Sequence, residues 1–161
     1  MRIDCFAARS AVALVFAAFL GVGAVTAAPE DGPVAYHRSA TSVSAHLPFS
    51  DAVRVGRVLY LNNQIGNVPG TPRVVDGGLE AQTRQAMANI DSVLAANGLK
   101  RRDLFRCTVT LSDMSQWNEL NRIWGGLFEP ERLPVRNVIG VTGLPLGALV
   151  GIECQAAYAA P

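Results

Sequence analysis

Along the 161-residue chain the apolar positions change their spacing several times, and each spacing predicts a different element. Over residues 54–65 the positions Val55, Val58, Leu59, Tyr60, Leu61 and Ile65 crowd together, rich in β-branched and aromatic side chains. That predicts a strand buried on both faces. Residues 66–78, with two prolines and four glycines, read as a loop. From Leu79 onward the spacing becomes three and four. Ala86, Met87, Ile90, Val93 and Leu94 share one stripe and Gly98 follows it, predicting an amphipathic helix with a glycine C-cap. Phe105, Cys107, Val109 and Leu111 then alternate with Arg106, Thr108 and Thr110, the period of a strand with one buried face. Asp113 and Gln116 have capping-box spacing. They open a second helix whose buried stripe is Trp117, Leu120, Ile123, Trp124 and Leu127, and Pro130 and Pro134 end it. Two further strand-like runs, 135–141 and 148–158, are joined by the turn-like residues 143–147.

The order strand, helix, strand, helix, strand, strand predicts a single α+β domain: a mixed β-sheet covered on one face by two helices, because each helix must bury its stripe. In the last strand Ala148, Val150, Ile152, Cys154, Ala156 and Tyr158 share the core face. The opposite face, Leu149, Gly151, Glu153, Gln155 and Ala157, is small and apolar enough to meet another subunit.

The start of the chain follows different rules. Arg2 and Arg9 precede a continuous apolar run over residues 11–25 that ends in small residues, which reads as a signal peptide, residues 1–27, cleaved after Ala27. A retained membrane anchor is the competing reading, but the run is short of the roughly 20 residues a span needs. Residues 28–46 are polar and aperiodic, and we expect a flexible leader with order beginning near Leu47. The mature protein is then exported and periplasmic, without a stable membrane anchor. Removal of residues 1–27 takes Arg2, Arg9 and Asp4 from the 14 basic and 13 acidic residues and leaves 12 of each. A formally neutral domain lacks the positive footprint that drives nucleic-acid binding, so no nucleic-acid partner is expected. Cys107 and Cys154 each lie in an apolar strand-like run. An oxidising compartment permits a disulfide, but buried thiols are the expectation, because sequence does not place the two within bridging distance. His37 and His46 have no metal-ligand spacing around them, and no metal site is expected.

Several motifs in order resemble the Rid (YjgF) family of enamine and imine deaminases, over residues 47–158. They are Leu47-Pro48-Phe49-Ser50-Asp51-Ala52, Gln64-Ile65, Glu80-Ala81-Gln82-Thr83-Arg84-Gln85-Ala86, Thr108-Val109-Thr110-Leu111-Ser112-Asp113-Met114, Pro134-Val135-Arg136-Asn137, Leu144-Pro145 and Ile152-Glu153. The resemblance implies a Rid/chorismate-mutase-like fold and a homotrimer with a central barrel-like packing of sheets. It also implies ligand pockets between subunits and hydrolysis of small carboxylate-bearing imines to 2-keto acids and ammonia without a cofactor. It assigns the substrate carboxylate to Arg136, as the catalytic anchor, and carries substrate contacts onto Phe49, Asn62, Asn63, Val138 and Gly151. A planar guanidinium matches a carboxylate with paired donors, which lysine does not.

The sequence departs from the family pattern at three places. The position of the family's water-holding glutamate falls on Gly151, with Glu153 two residues further along the strand. Asn62-Asn63 stand where a Ser-Gly pair is usual, and Phe49 stands in place of a tyrosine. The alternative implied by these departures is a non-catalytic trimer that binds a small carboxylate.

Overall fold

A computed structural model describes residues 34–159. The expected signal peptide, and the first residues of the expected leader, lie outside the described residues. The elements in chain order are β1 (Ala35–His37), α1 (Ala40–Ser44), β2 (Ala52–Val55), β3 (Val58–Leu61), β4 (Gln64–Ile65), α2 (Gly78–Ala96), β5 (Leu104–Leu111), α3 (Trp117–Gly125), β6 (Val135–Gly140) and β7 (Val150–Ala157). The strands form one mixed sheet in the order β1-β2-β3-β7-β5-β6, with β4 also paired to β7. Among the described residues only β5 and β6 run parallel. Parallel neighbours need a crossover, and α3 supplies it across one face of the sheet.

Helices α2 and α3 bury their stripes on that face, as the spacing predicts. Leu79, Ala86, Met87, Ile90 and Leu94 of α2 and Leu120, Ile123 and Trp124 of α3 meet Leu59 and Leu61 of β3, Val109 and Leu111 of β5, and Val150 and Ile152 of β7. Each of the leucines, isoleucines and valines and the methionine among them, withdrawn from water, contributes about 1.5–3 kcal/mol of burial free energy. Gly98 follows α2 at φ 72°, and the Leu99 amide donates back to the Leu94 carbonyl (2.9 Å), the predicted glycine cap. Three polar side chains of α2 are also buried: two tie the helix to β4 and the segments beside the sheet, and the third is bonded within the helix. Gln82 Oε1 accepts from the Leu149 amide (2.8 Å), Asn89 Nδ2 donates to the carbonyls of Ile65 and Asn67 (3.1 Å each), and Thr83 Oγ1 donates to the Leu79 carbonyl (2.7 Å).

Several expectations are corrected. Residues 54–65 are not one strand buried on both faces. The two-residue link Gly56-Arg57 turns the chain, with Gly56 at φ 55°, so that Val55 pairs with Val58 in a β2–β3 hairpin. Hydrophobic density alone does not reveal a reversal that a single glycine permits. Residues 34–46 are not a flexible leader: β1 pairs with β2, and α1 follows. The reason is Asp51, only 8% exposed, whose carboxylate accepts from the Ser39 amide (2.5 Å) and the Ser42 hydroxyl (2.6 Å). Burial alone raises its pKa, but these hydrogen bonds, together with the nearby His37, outweigh burial and hold it below its ordinary value.

Phe105 is 40% exposed rather than buried. Leu104 lies opposite Ala156 while Arg106 lies opposite Gln155, so Phe105 is the extra residue of a bulge and the alternation resets behind it. Trp117 stands 46% exposed at the start of α3, outside the buried stripe. Asp113 caps as predicted, accepting from the Ser115 amide (2.9 Å), but over a 3-10 turn, Met114–Gln116, that precedes α3. Gln116 Oε1 is buried without a hydrogen-bond partner, so the reciprocal half of the capping box is not made.

The largest correction concerns the cysteines. Cys107 and Cys154 are directly opposite each other on β5 and β7 and form a disulfide, not a pair of buried thiols. Both were read correctly as core-facing; the pairing of their strands, which sequence does not display, makes them neighbours.

Candidate functional site

Arg136 lies near the start of β6, at the edge of the sheet, in register with Cys107 of β5. Cys107 faces the helices, so Arg136 does too, and the parallel crossover lays α3 over it. Its guanidinium sits 5.2 Å from the ring centre of Trp124, and Nη2 donates to Asn121 Oδ1 (2.5 Å). Desolvation pulls its pKa down from the ordinary arginine value, as expected for a cation partly removed from water. Other arginines show what the ordinary role looks like. Arg84 and Arg122 both reach Glu80, and Arg101 is bonded to Asp91. Among the described residues Arg136 has no carboxylate partner. A half-buried guanidinium held by an indole and a neutral amide keeps both its charge and most of its donors free for an anion. Val138, two residues along β6 and opposite Val109, packs against the core on the same face.

The second group of residues lies on the opposite, open face. Gly151 of β7 is in register with Thr110 of β5, on the face away from the core. Beside it the β3–β4 edge slips. Tyr60 lies opposite Gln155 but Gln64 lies opposite Ile152, four residues against three, and the extra residue is taken up at Asn62-Asn63. This bulge brings the Asn63 side chain over Gly151. A Cβ at position 151 would stand 2.7 Å from Asn63 Nδ2, 2.7 Å from Thr110 Oγ1 and 2.9 Å from Asn63 Oδ1. The space a side chain at 151 would need is therefore occupied by an amide and a hydroxyl. Asn62 and Glu153 line a shallow recess of about 440 Å³ on the same face, with Tyr36, Ser50 and Tyr60 on its other sides. Phe49, just before β2, is 45% exposed.

A single protomer therefore does not gather the predicted residues into one pocket. Arg136 and Val138 face the helices at one edge of the sheet, whereas Asn63 and Gly151 lie on the open face nearer its centre and Asn62 lines the recess there. Three participants were missed from sequence. Asn121 and Trp124 support Arg136, and their spacing of three on α3 marks a shared face but not what lies beneath it. Thr110 was read only as the polar half of an alternating strand. Among the described residues no cluster of His, Cys, Asp and Glu is arranged to hold a metal, and no helix is long and apolar enough to cross a membrane.

This architecture, a mixed sheet with helices on one face, has counterparts of known structure. The Rid-family protein YyfA from Yersinia pestis superposes with a TM-score of 0.71 at 31% identity, covering 78% of this chain and 100% of that one. RidA from a Psychrobacter species superposes with a TM-score of 0.63 at 33% identity, over 69% of this chain and 89% of that one. Among curated proteins, a RutC family protein of Aquifex aeolicus is 38% identical over 110 residues, 68% of this chain and 87% of the relative. A mouse 2-iminobutanoate/2-iminopropanoate deaminase is 35% identical over 109 residues, 68% of this chain and 80% of the relative. Residues 39–158 match the family model described as Endoribonuclease L-PSP. The chain belongs to this family, the Rid (YjgF) family, as its motifs imply.

Proposed function

We propose that this protein hydrolyses small carboxylate-bearing imines, of which 2-iminobutanoate is the test case, to the 2-keto acid and ammonia. Arg136 is its carboxylate anchor. The observation that carries the reading is the state of Arg136: partly desolvated, braced by Trp124 and Asn121, and without a carboxylate partner among the described residues. Binding the substrate carboxylate there fixes the neighbouring C=N bond against a water molecule. Water adds to the imine carbon, a proton passes to nitrogen, and the carbinolamine collapses to a C=O group with loss of ammonia. Positioning supplies the acceleration, and no side-chain nucleophile is consumed. Completion of the site by a neighbouring subunit in a homotrimer is part of the proposal, because Arg136 and Asn63 lie on different faces of one protomer.

Export to the periplasm is proposed on the strength of residues 1–27, and the Cys107–Cys154 disulfide supports it, since such bonds persist in oxidising compartments. A second reading, carboxylate binding without turnover, is favoured by the absence of any carboxylate at Gly151.

Ammonia release from freshly generated 2-iminobutanoate, above the uncatalysed rate, tests the first reading. Arg136→Ala is expected to lower kcat/KM by about ten- to a hundredfold, the worth of a charged hydrogen-bonded contact, with Arg136→Lys recovering only part. Absence of acceleration by the wild-type protein would sink the hydrolase reading. Arg136-dependent binding of 2-oxobutanoate in that case would establish the second.

A further inference from the structure

We infer that Thr110 and Asn63 form a neutral hydrogen-bonding pair over Gly151 that contacts and positions the bound molecule, with Thr110 a substrate-positioning residue in its own right. This rests on the reading of Arg136 as the carboxylate anchor of a site shared between subunits. Three features of the geometry point to it.

The first is convergence. Asn63 Nδ2, Asn63 Oδ1 and Thr110 Oγ1 all lie within 3 Å of the one point where a side chain at 151 would begin, so the amide and the hydroxyl converge over the glycine, in the place its side chain would otherwise fill. The second is hydrogen-bonding capacity. Thr110 Oγ1 donates to the Gly151 carbonyl (3.2 Å), which spends its only proton and leaves its lone pairs as acceptors. The Asn63 amide has no side-chain hydrogen bond among the described residues, so both its donors and its acceptor are available. The third is local construction. The slip in the ladder at Asn62-Asn63 aims the asparagine at this spot, and a buried glycine beneath leaves room for it. Asn63 remains exposed above, so the pair borders the surface from which a ligand approaches.

An amide and a hydroxyl acceptor together can hold a water, an imine N–H or a carbonyl oxygen, but neither takes up a full charge. The pair orients what binds and does not deprotonate it, so its loss is read as weaker binding and slower turnover together.

Two measurements on the full mature chain test this: turnover of 2-iminobutanoate, and binding of its product 2-oxobutanoate by calorimetry. Thr110→Val keeps the shape and removes the oxygen. It is expected to lower kcat/KM and weaken 2-oxobutanoate binding by about five- to tenfold, the scale of one neutral hydrogen bond. Asn63→Ala should do the same, and Thr110→Ser, which restores the oxygen, should stay within about twofold of wild type. The double variant should fall short of the product of the single effects, as partners on one ligand atom do. If Thr110→Val and Asn63→Ala leave both measurements unchanged while Arg136→Ala loses them, the pair does not touch the ligand and the inference is overturned, although the Arg136 reading stands. If Thr110→Ser is as impaired as Thr110→Val, the role of Thr110 is structural and the inference again fails. A wild-type protein that neither binds 2-oxobutanoate nor turns over the imine overturns both readings together.

Discussion

A glycine, an asparagine and a threonine show how tightly single residues can depend on each other here. Gly151→Glu looks, from the family pattern, like a simple restoration of a carboxylate. The structure gives a different expectation, because the new Cβ would meet Asn63 and Thr110 at 2.7 Å. Asn63 can swing outward, but Thr110 must rotate and surrender its bond to the Gly151 carbonyl. The single variant should be destabilised by about 1–3 kcal/mol, the usual cost of overpacking, read as a lower denaturant midpoint. Asn63→Gly in the same chain should return only part of that loss, because Thr110 still meets the new Cβ. The coupling was not legible in the sequence, where positions 63, 110 and 151 are far apart and only their types could be noted. Arg136 could be singled out as a candidate anchor because a short motif surrounds it. Its braces, Asn121 and Trp124, were not, since helix periodicity says which residues share a face but not which strand that face covers.

Secondary structure was readable where a period ran uninterrupted, as in α2 and its Gly98 cap, and misread where one residue broke it. Gly56 reverses the chain, and Phe105 is squeezed out of the ladder. An element can also be missed when its apolar content is too small to give a period at all. β1 is held by its ladder to β2, and α1 is tied by hydrogen bonds to Asp51, a polar residue whose burial no pattern announced.

The β5–β7 pair carries the clearest element-scale prediction. The Cys107–Cys154 bond spans a sequence separation of 47 residues, so its removal frees a sizeable loop in the unfolded chain. Cys107→Ala with Cys154→Ala should cost about 2–4 kcal/mol of stability in the oxidised protein, measured by denaturant titration. Reduction of the wild-type protein should produce a similar loss, and a wild-type protein unaffected by reductant would show that the bond does not constrain the chain.

At the scale of the whole molecule, the mixed sheet with two helices on one face follows from the spacing of apolar positions, but the strand order does not. Sequence spacing fixes which face of a strand is buried and says nothing of which strand lies beside it. That order is also what separates Arg136, on the edge strand, from Asn63 and Gly151 near the centre, and it makes a site shared between subunits directly testable. Arg136→Ala and Asn63→Trp, the latter filling the space over Gly151, damage opposite halves of the proposed site. When the two variants are mixed, dissociated and reassembled, sites shared between subunits include some with both halves intact, and imine hydrolysis should rise above that of either parent. Sites confined to one chain would show no such gain.

The position of β7 has one more consequence. It follows the other described strands along the chain, yet it lies in the interior of the sheet, antiparallel to β3, β4 and β5. Until it arrives, the β2–β3 hairpin and the β5–α3–β6 unit have no strand between them to join their ladders. Contacts this distant along a chain are slow to form in any case. A nascent polypeptide whose interior strand follows the others leaves the two parts of its sheet unjoined until that strand has been made.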